Sequence, residues 1–276
     1  MDNKEYMSEK DFLKDYDSSL YEKLSMTVDI AIFSVSSEKV ENYRKTSDKK
    51  FSILLVKRKT YPFKDMWCLP GGFVNVSESL DDAAKRILIN ETNLKDIYLE
   101  QLYTFGNPKR DPRMRIVSTA YMSLIDKSVL EDNLPDNVSW FNICFKETND
   151  KIFITLTNGA ENINIELDKI LREKTTDRYD YISSLNNLAF DHSIVIASGI
   201  SRLRNKLEYT DIVFNMMPEY FTLGELQQVY EVILGKKLLA PAFRRIIAGK
   251  VVKTNKSKTG EGHRPSLLYR YKKNWQ

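Results

Sequence analysis

Apolar residues run through VDIAIFSV (28–35) and through the centre of FSILLVKRK (51–59), and both stretches read as strands, the second ending in Lys57, Arg58 and Lys59. Between them SSEKVENYRKTSDKK (36–50) is a polar connection. TYPFKDMWCLPGGFV (60–74) holds too many turn formers for a helix and too many apolar residues for a disordered linker, so it reads as an ordered loop feeding Gly71 and Gly72. Beyond Ser77 the period lengthens to that of a helix, expected from about Glu78 to Thr92. Leu80, Ala83, Ala84, Ile87, Leu88 and Glu91 fall on one side, with Asp81, Asp82 and Lys85 wetter. Asp82 and Arg86, four apart, are placed to pair.

The segment QLYTFGNPKRDPRM (101–114) is a polar loop carrying Arg110, Asp111 and Arg113, with Arg115 opening the strand-like RIVSTAYMSL. Two alternating runs, Ile152, Ile154, Leu156 and Ile163, Ile165, Leu167, flank Asn158-Gly159 and predict a hairpin at 151–167, read as an insertion or edge element of the first domain. A long helix follows, with Asp191 as its cap and Ile194, Ile196, Ala197, Ile200 and Leu203 as its apolar side. Arg202, Arg204 and Lys206 lie near its end. His192, without a nucleophile or metal cluster beside it, reads as a packing or hydrogen-bonding residue at the helix start.

In FTLGELQQVYEVILG, Thr222 and Glu225 have capping-box spacing ahead of Leu226, Val229, Tyr230 and Ile233. PAFRRIIAGK then places Pro241 in a first helical turn, with Phe243, Ile246 and Ile247 able to face a core. Val251 and Val252 begin a strand, Gly260 and Gly262 loosen a basic turn, and Leu267 to Tyr271 form a second strand. Helix, helix, hairpin is the order of a winged helix. The expected organisation is an N-terminal extension over 1–25, a ligand-sensing domain over 26–190, a connector helix over 191–217 and a DNA-binding domain over 218–276.

A length of 276 residues agrees with two domains. Charge separates them: from Pro218 onward there are 12 Lys and Arg against 4 Asp and Glu, leaving 30 against 34 before it. Such a basic module suits a polyanion. Arg244 and Arg245 on the candidate recognition helix, Lys250 beyond it, and Lys253, Lys256, Lys258 and Arg264 in the wing are the candidate DNA contacts. Cys68 and Cys144 match no metal or redox spacing and fit two buried thiols in a reducing compartment. No secretory signal or membrane-length apolar run is present, which points to the cytoplasm.

Gly72, five residues, Glu78, seven residues, Arg86, then Leu88, Glu91 and Leu94 resemble the Nudix box. The resemblance implies a glycine loop and acidic helix holding magnesium around a nucleoside diphosphate. It also implies acids at the positions of Ile87, Asn90 and Glu91, and a glycine at that of Asn93; two of the three acids are therefore replaced. Magnesium needs oxygen ligands, and Ile87 offers none while Asn90 offers no charge. Gly72, Glu78 and Arg86 retain the structural half of the motif. Glu91, with Glu78 or Asp82 as helpers, is what remains for a metal or catalysis.

The RDPR loop is similar to that of ADP-ribose pyrophosphatase-like Nudix proteins, which makes Arg58, Arg110, Asp111, Arg113 and Arg115 candidate ligand contacts. From about Met26 to Tyr271 the chain resembles the Nudix-related transcriptional regulators. That resemblance implies an α+β chain: an N-terminal Nudix α/β/α sandwich with a C-terminal winged helix-turn-helix. It also implies a homodimer binding double-stranded operator DNA without a cofactor, controlled by ADP-ribose, a related nucleotide or a sugar held without hydrolysis. A magnesium-dependent Nudix hydrolase of ADP-ribose or another nucleoside diphosphate derivative is the alternative, and a protein-interaction module the third.

Overall fold

The computed structural model describes residues 8–37, 49–93, 97–126, 134–171, 179–258 and 265–272. After a short helix α1 (Glu9–Asp15), strands β1 (Ser25–Ser37), β2 (Lys49–Lys57), β3 (Trp67–Cys68) and β4 (Gly71–Phe73) lead into α2 (Leu80–Thr92). Then come β5 (Tyr98–Phe105), β6 (Ile116–Ile125), β7 (Val138–Glu147), β8 (Lys151–Thr157), β9 (Asn162–Leu171) and β10 (Tyr179–Asn186). They form one mixed sheet in the order β10-β9-β8-β7-β2-β1-β6-β5, with β3 on β2 and β4 on β1. The β1–β6 pair is parallel.

Residues Thr27 to Val35 of β1 are all buried, because both faces of the sheet are covered and the pleat divides the strand between them. Val28, Ile30 and Ile32 meet Ala83, Ala84, Ile87 and Leu88 of α2. Ala31, Phe33 and Val35 belong to the opposite core, with α3 (His192–Tyr209). There α3 comes so close that a Cβ on Gly199 would stand 3.0 Å from the Phe33 ring. The result is the expected α/β/α sandwich.

Several local expectations change. The α2 helix begins at Leu80, two residues after the expected start, capped by Ser79 Oγ accepting from Asp82 N at 3.1 Å. Asp82 takes a hydrogen bond from Ser79 (2.7 Å), and Arg86 pairs with Glu78 instead. The Asn158-Gly159 hairpin forms, but β8 also pairs with β7 and β9 with β10. It therefore continues the main sheet, and β10 takes the outer position. Cys68 is buried, with its thiol pushed up to about 12 chiefly by burial, whereas Cys144 is exposed.

The C-terminal part is α4 (Leu223–Leu234), α5 (Ala240–Ile247), β11 (Val251–Lys258) and β12 (Ser266–Tyr271), with Phe221 bridging to Tyr269. Thr222 and Glu225 close a reciprocal capping box, and Gly235 ends α4 at φ +69°. Phe243 and Ile247 of α5 are buried, but Ile246 is 55% exposed and does not face the core.

The two halves share one apolar core. The α4 helix lies against β2 and α3, and a 3-10 turn, Ile212–Met216, lies against β6. Arg204 of α3 fastens this seam: its Nε donates to the Ile233 carbonyl (2.7 Å), and its guanidinium sits 4.0 Å from the Phe145 ring centroid. No described helix is long and apolar enough to cross a membrane.

Candidate ligand pocket and DNA-reading helix

A cavity of about 370 Å³ opens between the end of β2, strand β4, the arginine loop and the start of α3. Lys57, Arg58, Lys59, Arg110 and Arg113 line it, against the carboxylates of Asp29, Glu91 and Asp111. A cationic surplus of this kind favours an anionic ligand.

The floor of the cavity is a buried polar network. Asp29, a single acid within the apolar run of β1, accepts from Ser118 Oγ (2.6 Å) and Arg110 Nη2 (3.2 Å), while His192 Nε2 lies 3.5 Å from its other oxygen. Burial alone would raise its pKa; His192, Arg110 and Ser118 outweigh that and hold the carboxyl well below the usual range. His192 Nδ1 accepts from Leu69 N at 2.9 Å, so the ring hydrogen sits on Nε2, facing Asp29. Gly71 is required here, because a Cβ would stand 2.4 Å from Asp29 Oδ1.

Arg110 reaches past Asp29 to Asp191, donating from Nε (2.9 Å) and Nη2 (2.7 Å). The Asp191 side chain does not cap α3 as expected; it grips the arginine loop. Between these anchors Phe190, at φ 56°, packs against Phe63, with Arg58 4.9 Å and Arg113 5.8 Å from its ring centroid. His192 at the start of α3 and Phe190 two residues earlier thus line the cavity, with Asp191 between them holding the arginine loop.

Of the candidate ligand contacts, Arg58, Arg110, Asp111 and Arg113 line the cavity, and Arg115 does not. Arg110 has a side chain 3% exposed and is engaged within the wall. Arg113 is clasped by Asp111 (3.0 and 2.8 Å) and stands 5.3 Å from the Phe73 ring centroid. Arg58 donates from Nε to the Pro62 carbonyl (2.7 Å). Asp29, Phe73, Phe190 and Lys59 were not legible as site residues, although a lone acid inside a run of strand apolars is a signal that could have exposed Asp29.

The motif helix carries few of the acids that a metal would need. Ile87 is buried, 3.5 Å from where a Gly72 Cβ would stand, so the position serves packing. Asn90 is exposed, and Asn93 adopts φ 56° as the left-handed cap, the conformation for which asparagine is the usual substitute for glycine. Leu94 falls outside the described residues. Of the residues of α2, Glu91 is the one that lines the cavity, with burial raising its pKa.

Magnesium does not fit this donor set. Both Glu78 oxygens are taken by Arg86 and one Asp82 oxygen by Ser79, and among the described residues no three His, Cys, Asp or Glu are grouped to hold a metal. Arg86 donates to Glu78 at 2.9 and 2.5 Å and to the Phe73 carbonyl at 3.0 Å, locking loop to helix. The Arg86 hydrogen bond, then the Asn75 amide, lower the Glu78 pKa to about 2. This clasp therefore contributes fully above the unfolded value of about 4.3 and is lost as pH falls through about 2. An NMR titration of the Glu78 carboxyl carbon is expected to have its midpoint near 2; one near 4 would mean the clasp is absent in solution.

On α5, Arg244 and Arg245 are exposed, as are Lys253, Lys256 and Lys258 of β11. Lys256 Nζ lies 3.7 Å from the Tyr220 ring centroid and Lys258 pairs with Glu225 (2.7 Å). Lys250 is directed inward, to the Thr210 carbonyl (3.0 Å) and Asp211 (2.8 Å), and Arg264 lies outside the described residues.

Residues 43–147 match the NUDIX domain family, and residues 213–271 match the NrtR DNA-binding winged helix domain. The chain is 35% identical over 270 residues to the ADPR responsive transcriptional repressor NtrR of Acinetobacter baylyi, covering 96% of this chain and 89% of the relative. Among solved structures, a MutT/nudix family protein from Enterococcus faecalis is 28% identical with a TM-score of 0.69, covering 96% of this chain and 94% of the other. Shewanella oneidensis NrtR complexed with a 27mer DNA is 28% identical with a TM-score of 0.62, over 90% and 93%.

Proposed function

This chain belongs to the NrtR-like family of transcriptional regulators, a Nudix fold joined to a winged helix, and on that premise we propose that ADP-ribose or a related phosphorylated nucleotide occupies its cavity and controls operator binding by a cytoplasmic homodimer. The observation that carries this reading is the place where α3 begins. Phe190, Asp191 and His192 form or brace the cavity wall, and α3 runs from there to Arg204 and the seam with α4.

A ligand shifts DNA affinity only by the difference in its affinity for the two arrangements of the molecule. Contacts to the wall change what Asp191 and Phe190 can hold, and α3 carries that change toward the reading helix. Arg58, Lys59 and Arg113 supply the positive edge for a diphosphate, and Phe73, 46% exposed, supplies a face for an aromatic base. Repression, as the name of the Acinetobacter relative states for that protein, is the corresponding proposal here.

Hydrolysis is the second reading, kept by Glu91 in the cavity. Selection of genomic fragments by the full-length protein, with and without ADP-ribose, tests the regulator. One class of duplex is expected to be enriched, with its affinity changed by about 5- to 150-fold on adding ligand. No enrichment under any condition would favour a protein-interaction module. Robust magnesium-dependent turnover of ADP-ribose that is lost in Glu91→Gln would favour the hydrolase.

A further inference from the structure

The geometry points to a second reading surface on α5 and its cap: an apolar flank of Ala242 and Ile246, led by the cap residue Leu239, that meets thymine methyl groups in the major groove and makes the protein select T·A pairs at defined steps. This rests on the DNA-binding reading above.

The α5 helix has two kinds of exposed surface. At about 100° per residue, Phe243 and Ile247 define the buried side, Arg245 points almost directly away from it, and Arg244 lies on one flank. Ala242 and Ile246 fall on the other flank, and Leu239, the extended residue that caps the helix, precedes them. Leu239 is 79% and Ile246 55% exposed, although the helix has an adjacent core that could have taken them.

Charge decides the occupant. The stretch 239–250 contains no acid, and the flank borders Arg245, with Arg244 on the opposite flank, on the element that a winged helix inserts into DNA. A thymine 5-methyl is the apolar feature of the major-groove floor. Leu239 and Ile246 lie seven residues apart, roughly 10 Å along the helix, or about three base-pair steps. The guanidiniums hold phosphates or guanines, and the apolar flank rejects bases lacking the methyl group.

The probe is the selected duplex with individual thymines replaced by deoxyuridine, which removes the methyl and leaves pairing intact. For the full-length protein, uracil at the contacted steps is expected to weaken binding about fourfold per methyl. Ile246→Ala is expected to bind the thymine duplex about as weakly as the native protein binds the uracil one, and to be insensitive to that replacement. A melting curve matching the native protein's is expected, since Ile246 is exposed. Deoxyuridine without effect at every position, or the same loss in Ile246→Ala, would overturn the inference while leaving DNA binding intact. Absence of any duplex binding would instead remove the reading beneath it. A changed oligomeric state of Ile246→Ala, with unaltered uracil sensitivity, would identify the flank as a contact between copies and overturn the inference too.

Discussion

Replacing Arg110 with alanine is expected to cost about 3–5 kcal/mol of folding stability, because it strands two carboxylates that the native structure holds against one guanidinium. Arg110 is 3% exposed in its side chain, and Asp29 beneath it 9%. Neither acid can recover full hydration without opening the seam between β1, the arginine loop and α3. The sign with pH follows from the depressed Asp29 carboxyl. Its contribution is present above an unfolded value of about 3.9 and is lost as pH falls through the lower folded value. Urea unfolding at pH 7 measures the loss. Asp191→Asn keeps an oxygen for Arg110 and leaves the partner of Asp29 in place, so a smaller loss of about 1–3 kcal/mol is expected. In that milder variant DNA binding should persist while its response to ADP-ribose shrinks. Native stability in Arg110→Ala would contradict the clasp, and an unchanged ligand response in Asp191→Asn would contradict its role in coupling.

The second large effect is expected on the reading helix. Arg245 points away from Phe243 and Ile247, so Arg245→Ala should weaken binding to the selected duplex by roughly 5- to 150-fold, the worth of about 1–3 kcal/mol for one bidentate base contact. Its hallmark is loss of preference: binding to unrelated duplexes should fall far less. Lys253→Ala, on the exposed β11 strand, should weaken all duplexes alike and reduce the salt slope by about 1. Lys250→Ala should act through stability, since its amine is held by Thr210 and Asp211. Competition titrations at two salt concentrations separate the three. Equal loss on specific and unrelated duplexes for Arg245→Ala would make it a phosphate contact.

The sandwich and the winged helix were legible because their signals are local: apolar runs for strands, a Thr222–Glu225 box, Pro241 in a first turn. The eroded motif was legible too, since Ile87 cannot stand in for an acid. The cavity floor was not. Asp29, Arg110, Asp191 and His192 are scattered over more than 160 positions, and periodicity carries no information about which loop a side chain will cross. Arg110 and Arg113 read alike in RDPR, yet one is a buried clasp and the other reaches the cavity's aromatic mouth. Ile246 misled for a related reason: a helical period places a residue near the apolar side but does not say how wide the covered stripe is.

The Arg204 seam sets a rule for exchange between relatives. Its bond to the Ile233 carbonyl and its place over Phe145 join the reader to the sensor at a tight spot, 2.9 Å from where a side chain on Gly235 would begin. A reader grafted from another regulator would inherit the sensor's signal only if its own first helix ended in a glycine with a carbonyl aimed at this arginine. Sensor and reader are therefore obliged to diverge together, and the unit that evolution or an engineer can trade is the whole chain from β1 through the wing.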